Sequence, residues 1–539
     1  MVENRASLPK ESPIPDARNV PVAEKAAVKE ETVKADAKGQ PTKTDDKSGS
    51  LHRPPPRRIN MCKRVGTTGA VTAVSSLKPE VAAKLMPYQP KHVEALLKAS
   101  LYGDVVFDGS DTGTGKTYAA IARCAQSGLR PFIVCPKVVI SVWAKVCVYF
   151  GVVPLAIVNY ETVRTGKQYA DINATPLRRV PCKYVKADRK AGDGKMRYEW
   201  KVPENAIVIW DEVHKCKNPN SMNGRLLLSC PVRSLLLSAT LCDRLGRFAV
   251  FGKMLNLFNT LEEVTKWEKE LKAEGKTLHD TIFPKYGARM KKADHRELFQ
   301  KNTITAELFD IDEKARKEVD EAYTQMRDIR EEKRLGVEAL TLTSAVAAIQ
   351  EKEKTDKDTP LVRMLRERQR VELIRIPLLA AAARESIAKG ESVIIFVNFQ
   401  PTMDLLMRLL RTTCVVRGDQ KFDEREACIA AFQSNKERVI LCNNQAGGVG
   451  ISLHDLHGGH PRVAIHSPSF SSEITIQCFG RADRAGAKTE IRQRLIFCRN
   501  TIEESICRKV QKKIGFVSTL NDGDLTAFNI EGIEKIGKD

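Results

Sequence analysis

Three groups of residues in this 539-residue chain have the types and spacing to do chemistry on phosphates. The run SDTGTGKT, Ser110 to Thr117, closes on a lysine and a hydroxyl. Its glycines, Gly113 and Gly115, let the backbone fold close around an anion, so that Gly113, Thr114, Gly115, Lys116 and Thr117 would cradle phosphates with backbone N–H groups. Lys116 would neutralise the outer phosphates and Thr117 would hold magnesium. The second group is AIVIWDEVH, in which two acids follow an apolar run. Asp211 would share the magnesium with Thr117, and Glu212 would polarise the attacking water. The third group is Arg481 and Arg484 in QCFGRADRAG, whose spacing puts both near one helical face. Cations that reach a phosphoryl group only when a cleft closes are worth orders of magnitude in rate. Together the three groups point to hydrolysis of ATP with Mg2+.

Each group needs an element to position it. The strand-like VVF runs into the glycine loop and YAAIARCA continues it with helical character, the order a phosphate loop requires. The strict G-x-x-x-x-G-K-T pattern is missed, because Ser110 stands where its first glycine belongs. Gln89, beside Tyr88 in LMPYQPKHVEALL, lies shortly upstream, where an amide could read the hydrogen-bonding edge of adenine. Before the arginines, AGGVGISL supplies Gly447, Gly448 and Gly450, which permit a tight turn close to phosphate or nucleic acid. His214 suits coupling of the nucleotide to other motifs better than acid–base chemistry. Ser238 and Thr240 could link hydrolysis to movement or serve only as turn hydroxyls.

Short apolar runs recur along the chain between amphipathic helical patterns: VVF, PFIVCP, AIVIW and SLLLS first, then SVIIFV, RVILC, RVAIH and RLIFC. That alternation is the signature of parallel sheets covered by helices. The expected fold is α/β, with two tandem doubly wound parallel-sheet domains, a helical insertion and a disordered N-terminal tail. Residues 1–76, rich in Lys, Glu, Asp, Ala and Pro, read as a flexible tail. The first ATP-binding domain spans 77–309, a charged helical connector or protrusion 310–376, the second domain 377–515, and a C-terminal tail 516–539. Within the first domain, Pro181 to Lys201 reads as a basic hairpin turned at Gly192 to Gly194.

A formal net charge of +21 favours an anionic partner. Fourteen cysteines show no C-x-x-C pair and no zinc-ligand spacing, so they read as reduced intracellular thiols. Cys135, Cys442 and Cys498, set in apolar runs, read as core residues. Nowhere do about eighteen apolar residues run together, and MVENRASLPKESPIP has no apolar signal core. These features predict a soluble intracellular protein without a membrane partner or secretory signal, nuclear in a eukaryote or else viral or cytoplasmic.

From Leu77 to Lys513 the ordered motifs resemble the superfamily two (DExH-box) helicases, and more closely the Swi/Snf-type DNA translocases. VCPKVVISVW at Val134 to Trp143, VNYETVR at Val158 to Arg164 and DEVHKCKNPNS at Asp211 to Ser221 look like the family's boxes in the first domain. VIIFVNFQPTMDLL at Val393 to Leu406, ILCNNQAGGVGISL and ITIQCFGRADRAG look like those of the second. Helicases accept a small residue at the position of Ser110. The resemblance implies that the two α/β domains are RecA-like, with an ATPase cleft that has Lys116, Thr117, Asp211 and Glu212 on one lobe and Arg481 and Arg484 on the other. It also implies nucleic acid lying across both lobes, held mainly by its phosphates. Lys217, Asn218, Arg417 and Gln445 are further candidates for that path.

Double-stranded DNA is the favoured partner, with RNA possible and protein partners unidentified. Translocation on duplex DNA is the first reading. Strand separation on DNA or RNA is the second, carried by Ser-Ala-Thr at Ser238 to Thr240 and by the glycine before Arg481. A non-catalytic scaffold is a third, opposed by the presence of every core phosphate and magnesium residue.

Overall fold

The computed structural model describes residues 76–174, 176–189, 196–240, 242, 245–333, 359–444, 450–469, 471–508 and 530–531. The expected N-terminal tail thus lies outside the described residues except at its last position. Gln445, Gly447, Gly448 and the hairpin turn at Gly192 to Gly194 lie outside them too.

Strands come in chain order as β1 (Val105–Asp108), β2 (Arg130–Cys135), β3 (Ala156–Asn159), a pair β4 (Lys167–Tyr169) and β5 (Arg179–Pro181), a pair β6 (Val185–Arg189) and β7 (Met196–Trp200), then β8 (Ala206–Asp211), β9 (Ser234–Leu237) and β10 (Gly287–Ala288). Six of them build the first sheet in the order β10-β1-β9-β8-β2-β3. All its pairings are parallel. Crossover helices cover both faces, so both faces of each strand must be apolar. Alternate residues serve opposite cores: Phe107, Phe132, Val134, Val208, Trp210 and Leu236 enter one. Val106, Ile133, Cys135, Ile207, Ile209 and Leu235 enter the other. This is the two-residue period of an extended strand seen in packing. The basic hairpin expected at Pro181 to Lys201 is present as the antiparallel pair β6 and β7.

A second sheet takes β11 (Asn302–Phe309), β12 (Ser392–Val397), β13 (Val415–Val416), β14 (Val439–Asn443), β15 (Arg462–His466), β16 (Ile491–Cys498) and β17 (Ile530–Glu531). Its order is β13-β14-β12-β15-β16-β11-β17, again parallel throughout. The same division recurs, with Val393, Ile395 and Val397 in one core and Ile394 and Phe396 in the other. The fold is therefore two doubly wound α/β lobes. The strand Asn302–Phe309, which the sequence reading assigns to the first domain, pairs with β16 along its whole length. The first lobe's sheet ends at β10, and the chain crosses to the second sheet before the charged helices begin. At the other end, Ile530–Glu531 adds an edge strand from within the expected C-terminal tail.

Helices Glu313–Lys333 and Pro360–Ile374 represent the described part of the charged connector. They are not a free protrusion at this end: Val319, Ala322 and Met326 pack with Met364, Val371 and the β16 residue Cys498. The described cysteines form no disulfide, and Cys135, Cys442 and Cys498 are buried. Among the described residues no helix is long and apolar enough to cross a membrane, and no group of three His, Cys, Asp or Glu side chains could hold a metal ion.

Candidate active site

Strand register brings the first lobe's groups together. In the sheet, Asp108 at the end of β1 and Asp211 at the end of β8 both align with Leu237 at the end of β9. The glycine loop, the paired acids and Ser238 therefore emerge along one carboxyl edge, where open parallel sheets place their ligands.

Gly113 and Gly115 adopt φ of 83° and 84°, the left-handed region open to glycine, and Gly115 caps the helix Lys116–Ser127. The Lys116 ammonium bends back across the loop, donating to the carbonyls of Ser110 at 2.7 Å and Asp111 at 2.9 Å. Burial pushes its pKa down, against Asp108, Glu212, Asp111 and Asp211, which hold the charge. Ser110 has a use that glycine could not serve. Its hydroxyl donates to Asp108 Oδ1 at 2.5 Å and accepts from the Met290 N–H at 2.9 Å. His92 Nε2 meets the other Asp108 oxygen at 3.1 Å. Burial opposes ionisation of Asp108, yet His92, Lys116 and the Ser110 hydroxyl hold its carboxyl below the ordinary value.

Gln89 is almost fully buried, and its amide faces the loop. Its Nε2 donates to Thr114 O at 3.0 Å, and its Oε1 accepts from Met86 N at 3.0 Å. A Cβ on Gly115 would run into the same Nε2, so Gln89 and Gly115 must keep their sizes together. The Tyr88 hydroxyl donates to Thr114 O as well, at 3.0 Å, while its ring lies 5.1 Å from His295 and 6.0 Å from Phe299. Burial pushes the Tyr88 phenol up to about 12.

Asp211 and Glu212 are oriented by residues far away in sequence. Trp143 Nε1 donates to Asp211 Oδ2 at 3.0 Å, and the Tyr160 hydroxyl donates to the Asp211 carbonyl at 2.8 Å. Burial, reinforced by the Glu212 charge, raises the Asp211 carboxyl to about 7, against Trp143 and Lys116. Glu212 turns the chain with φ 54°, ψ 48°, a left-handed conformation that costs a side-chain-bearing residue about 1–2 kcal/mol. Its carboxylate lies 3.4 Å from His214 Nδ1, which in turn lies 3.1 Å from the Ser238 hydroxyl. Ser238 donates to Thr240 O at 2.6 Å, so the acids and the Ser-Ala-Thr turn are joined through His214.

The second lobe completes the site from the helix Ser472–Ala482 and the residues after it. Gln477 Nε2 donates to Glu212 Oε2 at 3.1 Å and lies 3.4 Å from His214 Nε2. One turn on, Arg481 Nε donates to Gln477 O at 3.0 Å, and Arg484 Nη2 donates to Ile451 O at 3.0 Å. Burial lowers the Arg481 pKa, while Glu212, Cys478 and Asp211 support its charge. Burial and the neighbouring Arg481 bring Arg484 down to about 9, against Asp483.

Contact between the lobes is close enough to need glycine at three places. A Cβ on Gly480 would collide with the Thr112 side chain in the phosphate loop, and one on Gly450 with Val139. One on Gly113 would lie 2.8 Å from Asp483 O and 3.0 Å from Arg484 Cγ. Lys116, Asp211, Glu212, Arg481 and Arg484 are thus gathered in one cleft, with Thr117 on the helix behind the loop.

Two of the candidates for a nucleic-acid path adjoin the acids in the chain, Lys217 N donating to His214 O at 3.2 Å. Lys217 and Asn218 follow the short 3-10 turn Val213–Cys216, and Asn218 Oδ1 accepts from Asn220 N at 2.9 Å. Arg417 lies 3.6 Å from Asp404 and 3.5 Å from Asp419 in the second lobe. Sequence reasoning overlooked Trp143, Tyr160 and Gln477 as site residues. All three lie inside stretches quoted for the family resemblance, and that placement was the available signal.

Residues 373–486 match the helicase conserved C-terminal domain. Over 479 residues the chain is 38% identical to the putative ATP-dependent RNA helicase L364 of Acanthamoeba polyphaga mimivirus, covering 84% of this chain and 86% of that protein. It is 28% identical to the ATP-dependent helicase fft3 of Schizosaccharomyces pombe over 141 residues, 25% of this chain and 15% of that protein. With the human SWI/SNF-related matrix-associated actin-dependent regulator of chromatin subfamily A member 1 it shares 26% identity over 132 residues, 23% of this chain and 12% of that protein. Among solved structures, Saccharomyces cerevisiae Dbp5 bound to RNA and ADP BeF3 aligns with a TM-score of 0.43 at 14% identity, over 82% of this chain and 92% of that one. The Sulfolobus solfataricus SWI2/SNF2 ATPase core in complex with dsDNA aligns at 0.31 and 15%, over 84% and 96%. At those scores neither structure bears on the choice of nucleic acid. With two parallel-sheet lobes, the ordered motifs along the facing edges and a relative matched over most of both chains, this chain belongs to the superfamily two helicases, ATP-hydrolysing motors that act on nucleic acid.

Proposed function

We propose that the cleft between the lobes hydrolyses ATP with Mg2+ and that the chain uses the cycle to translocate along double-stranded DNA. The observation that carries the chemistry is the meeting of Arg481 and Arg484 with the Lys116 loop and the Asp211–Glu212 pair. The donor set suits magnesium: Asp211 and Thr117 offer hard oxygen ligands, and a carboxylate raised to about 7 by burial and by Glu212 gains most from a cation. Magnesium, when bound, would neutralise charge on the outer phosphates and help align them. Lys116 would exchange its two loop carbonyls for phosphate oxygens. Glu212, held by Gln477 and His214, would accept the proton of the attacking water. The two arginines would stabilise charge that develops as the phosphoryl group leaves. Hydrolysis would loosen the attraction between the lobes, and their relative movement would shift one grip along the backbone.

Duplex translocation is supported by the extended box DEVHKCKNPNS and by the partial match to the human SWI/SNF-related protein. A strand-separating RNA or DNA helicase is the second reading, favoured by the Ser-Ala-Thr turn, whose Ser238 is wired to His214, and by the similarity to the mimivirus protein named as a putative RNA helicase. Turnover measured with duplex DNA, single-stranded DNA and single-stranded RNA at several salt concentrations separates them. Stimulation by duplex DNA without strand displacement supports translocation; stimulation by single-stranded RNA alone sinks it.

A further inference from the structure

One segment touches both halves of the cleft and has no part in the chemistry described above. From Ala288 to Lys292 the chain runs alongside the phosphate loop and is tied to it residue by residue. Gly109 N donates to Ala288 O at 3.0 Å, and Asp111 N to Met290 O at 3.0 Å. Met290 N donates to the Ser110 hydroxyl, and Lys292 N to Asp111 Oδ2 at 2.9 Å. Arg289 adds an ion pair to Asp111 Oδ1 at 2.8 Å and a short hydrogen bond to Gly109 O. The backbone of Lys292 is thereby held in place by the loop that would carry the phosphates.

Its side chain reaches the other lobe. Lys292 Nζ meets Asp483 Oδ2 at 2.6 Å and the Asp483 carbonyl at 2.8 Å, with the Phe299 ring 5.7 Å away. Asn302, the first residue of β11, donates to the same Asp483 oxygen at 3.0 Å. Both side chains of the pair are largely sheltered from water, at 16% and 10% exposure, so the attraction is stronger than for a surface pair. Asp483 lies between Arg481 and Arg484 in sequence, and its carbonyl is the atom that sits over Gly113.

We infer that Lys292 is a positioning residue: through Asp483 it sets the two arginines against the phosphate loop and transmits the state of that loop to the second lobe. This rests on the reading of Arg481 and Arg484 as groups acting on the phosphates. Lys292 touches neither the phosphate-binding atoms nor the acids, so its removal acts on the approach of the arginines and not on binding of nucleotide by the first lobe. Misplacement of a reacting group by about 1 Å can cost about 100-fold in rate.

The test uses the full chain with saturating nucleic acid, measuring ATP turnover and the Kd of a fluorescent ADP analogue for Lys292→Met, Lys292→Arg, Asp483→Asn and the double variant K292M/D483N. Expected for Lys292→Met is a fall in kcat of about tenfold or more with the Kd within about twofold of wild type. Lys292→Arg should restore most of the loss, and the double variant should lose no more than the worse single, as for residues acting as one unit. Turnover of Lys292→Met within twofold of wild type overturns the inference. So does a Kd that weakens in proportion to kcat, or losses that multiply in the double variant. Arg484→Ala serves as the control: if it turns over ATP normally, the reading of the arginines fails and the latch fails with it. If Arg484→Ala is inactive while both Lys292→Met and Asp483→Asn are normal, only the latch is lost.

Discussion

The two lobes share an architecture and divide the chemistry. Each is a parallel sheet whose alternate residues feed two cores, yet the first lobe presents a lysine and two acids, and the second presents arginines. In the first lobe the reactive groups stand on loops at the strand ends, fixed by register to Leu237. In the second they stand on the helix Ser472–Ala482 and just beyond it, fixed by hydrogen bonds to Gln477 O and Ile451 O. A strand end is held by its own sheet, and the helix by the core of the other lobe. The division therefore puts the lysine and acids on one rigid body and the arginines on the other.

That division can be broken from either side. The largest expected effect is for Arg484→Ala, where ATP turnover should fall on the order of 10³-fold or more, while the ADP-analogue Kd changes little. Loss of binding in parallel with turnover would mean that the second lobe holds nucleotide and does not act mainly on its reaction. Glu212→Gln attacks the first lobe and should cost about 10²–10⁴ in turnover, the usual worth of a positioned base. If this variant keeps wild-type rates, Glu212 is not the group that receives the proton.

Gly480→Val leaves every reactive group in place but sets a branched side chain against Thr112. Turnover should drop about 100-fold, with the melting temperature nearly unchanged, because the collision lies between the lobes and not within a core. A large fall in melting temperature would place the damage in folding instead. The smallest effect is expected for Ser110→Gly, which restores the strict phosphate-loop pattern. It removes the acceptor of Met290 N and a donor to Asp108, so stability in urea unfolding should fall by about 1–3 kcal/mol. Turnover of the folded protein should stay within a few-fold of wild type, and a gain in stability would show that the serine hydroxyl holds nothing.

How much of this was readable beforehand depended on whether partners are neighbours in sequence. The strands VVF, PFIVCP, AIVIW and SVIIFV were recognisable because a strand buried on both faces is apolar at every position. The strand Asn302–Phe309 was not, since its burial is partial and its polar residues interrupt the apolar run. Its assignment to the second sheet could come only from its pairing with β16, nearly 190 residues away, as in the Thr305–Gln493 hydrogen bond. Gln89 was singled out for adenine, and its amide lies on the carbonyl of Thr114, a contact no pattern encodes.

The sequence by itself determined the two-lobed parallel fold and the reactive inventory, because glycine loops, paired acids and spaced arginines are local and their chemistry follows from residue type. Tertiary structure alone decided how those groups are aimed. Trp143 reaches Asp211 across 68 residues, Lys292 reaches Asp483 across 191, and Gln477 reaches Glu212 across 265. Contacts at such separations depend on sheet order and lobe apposition, and these are set by the packing of the whole chain.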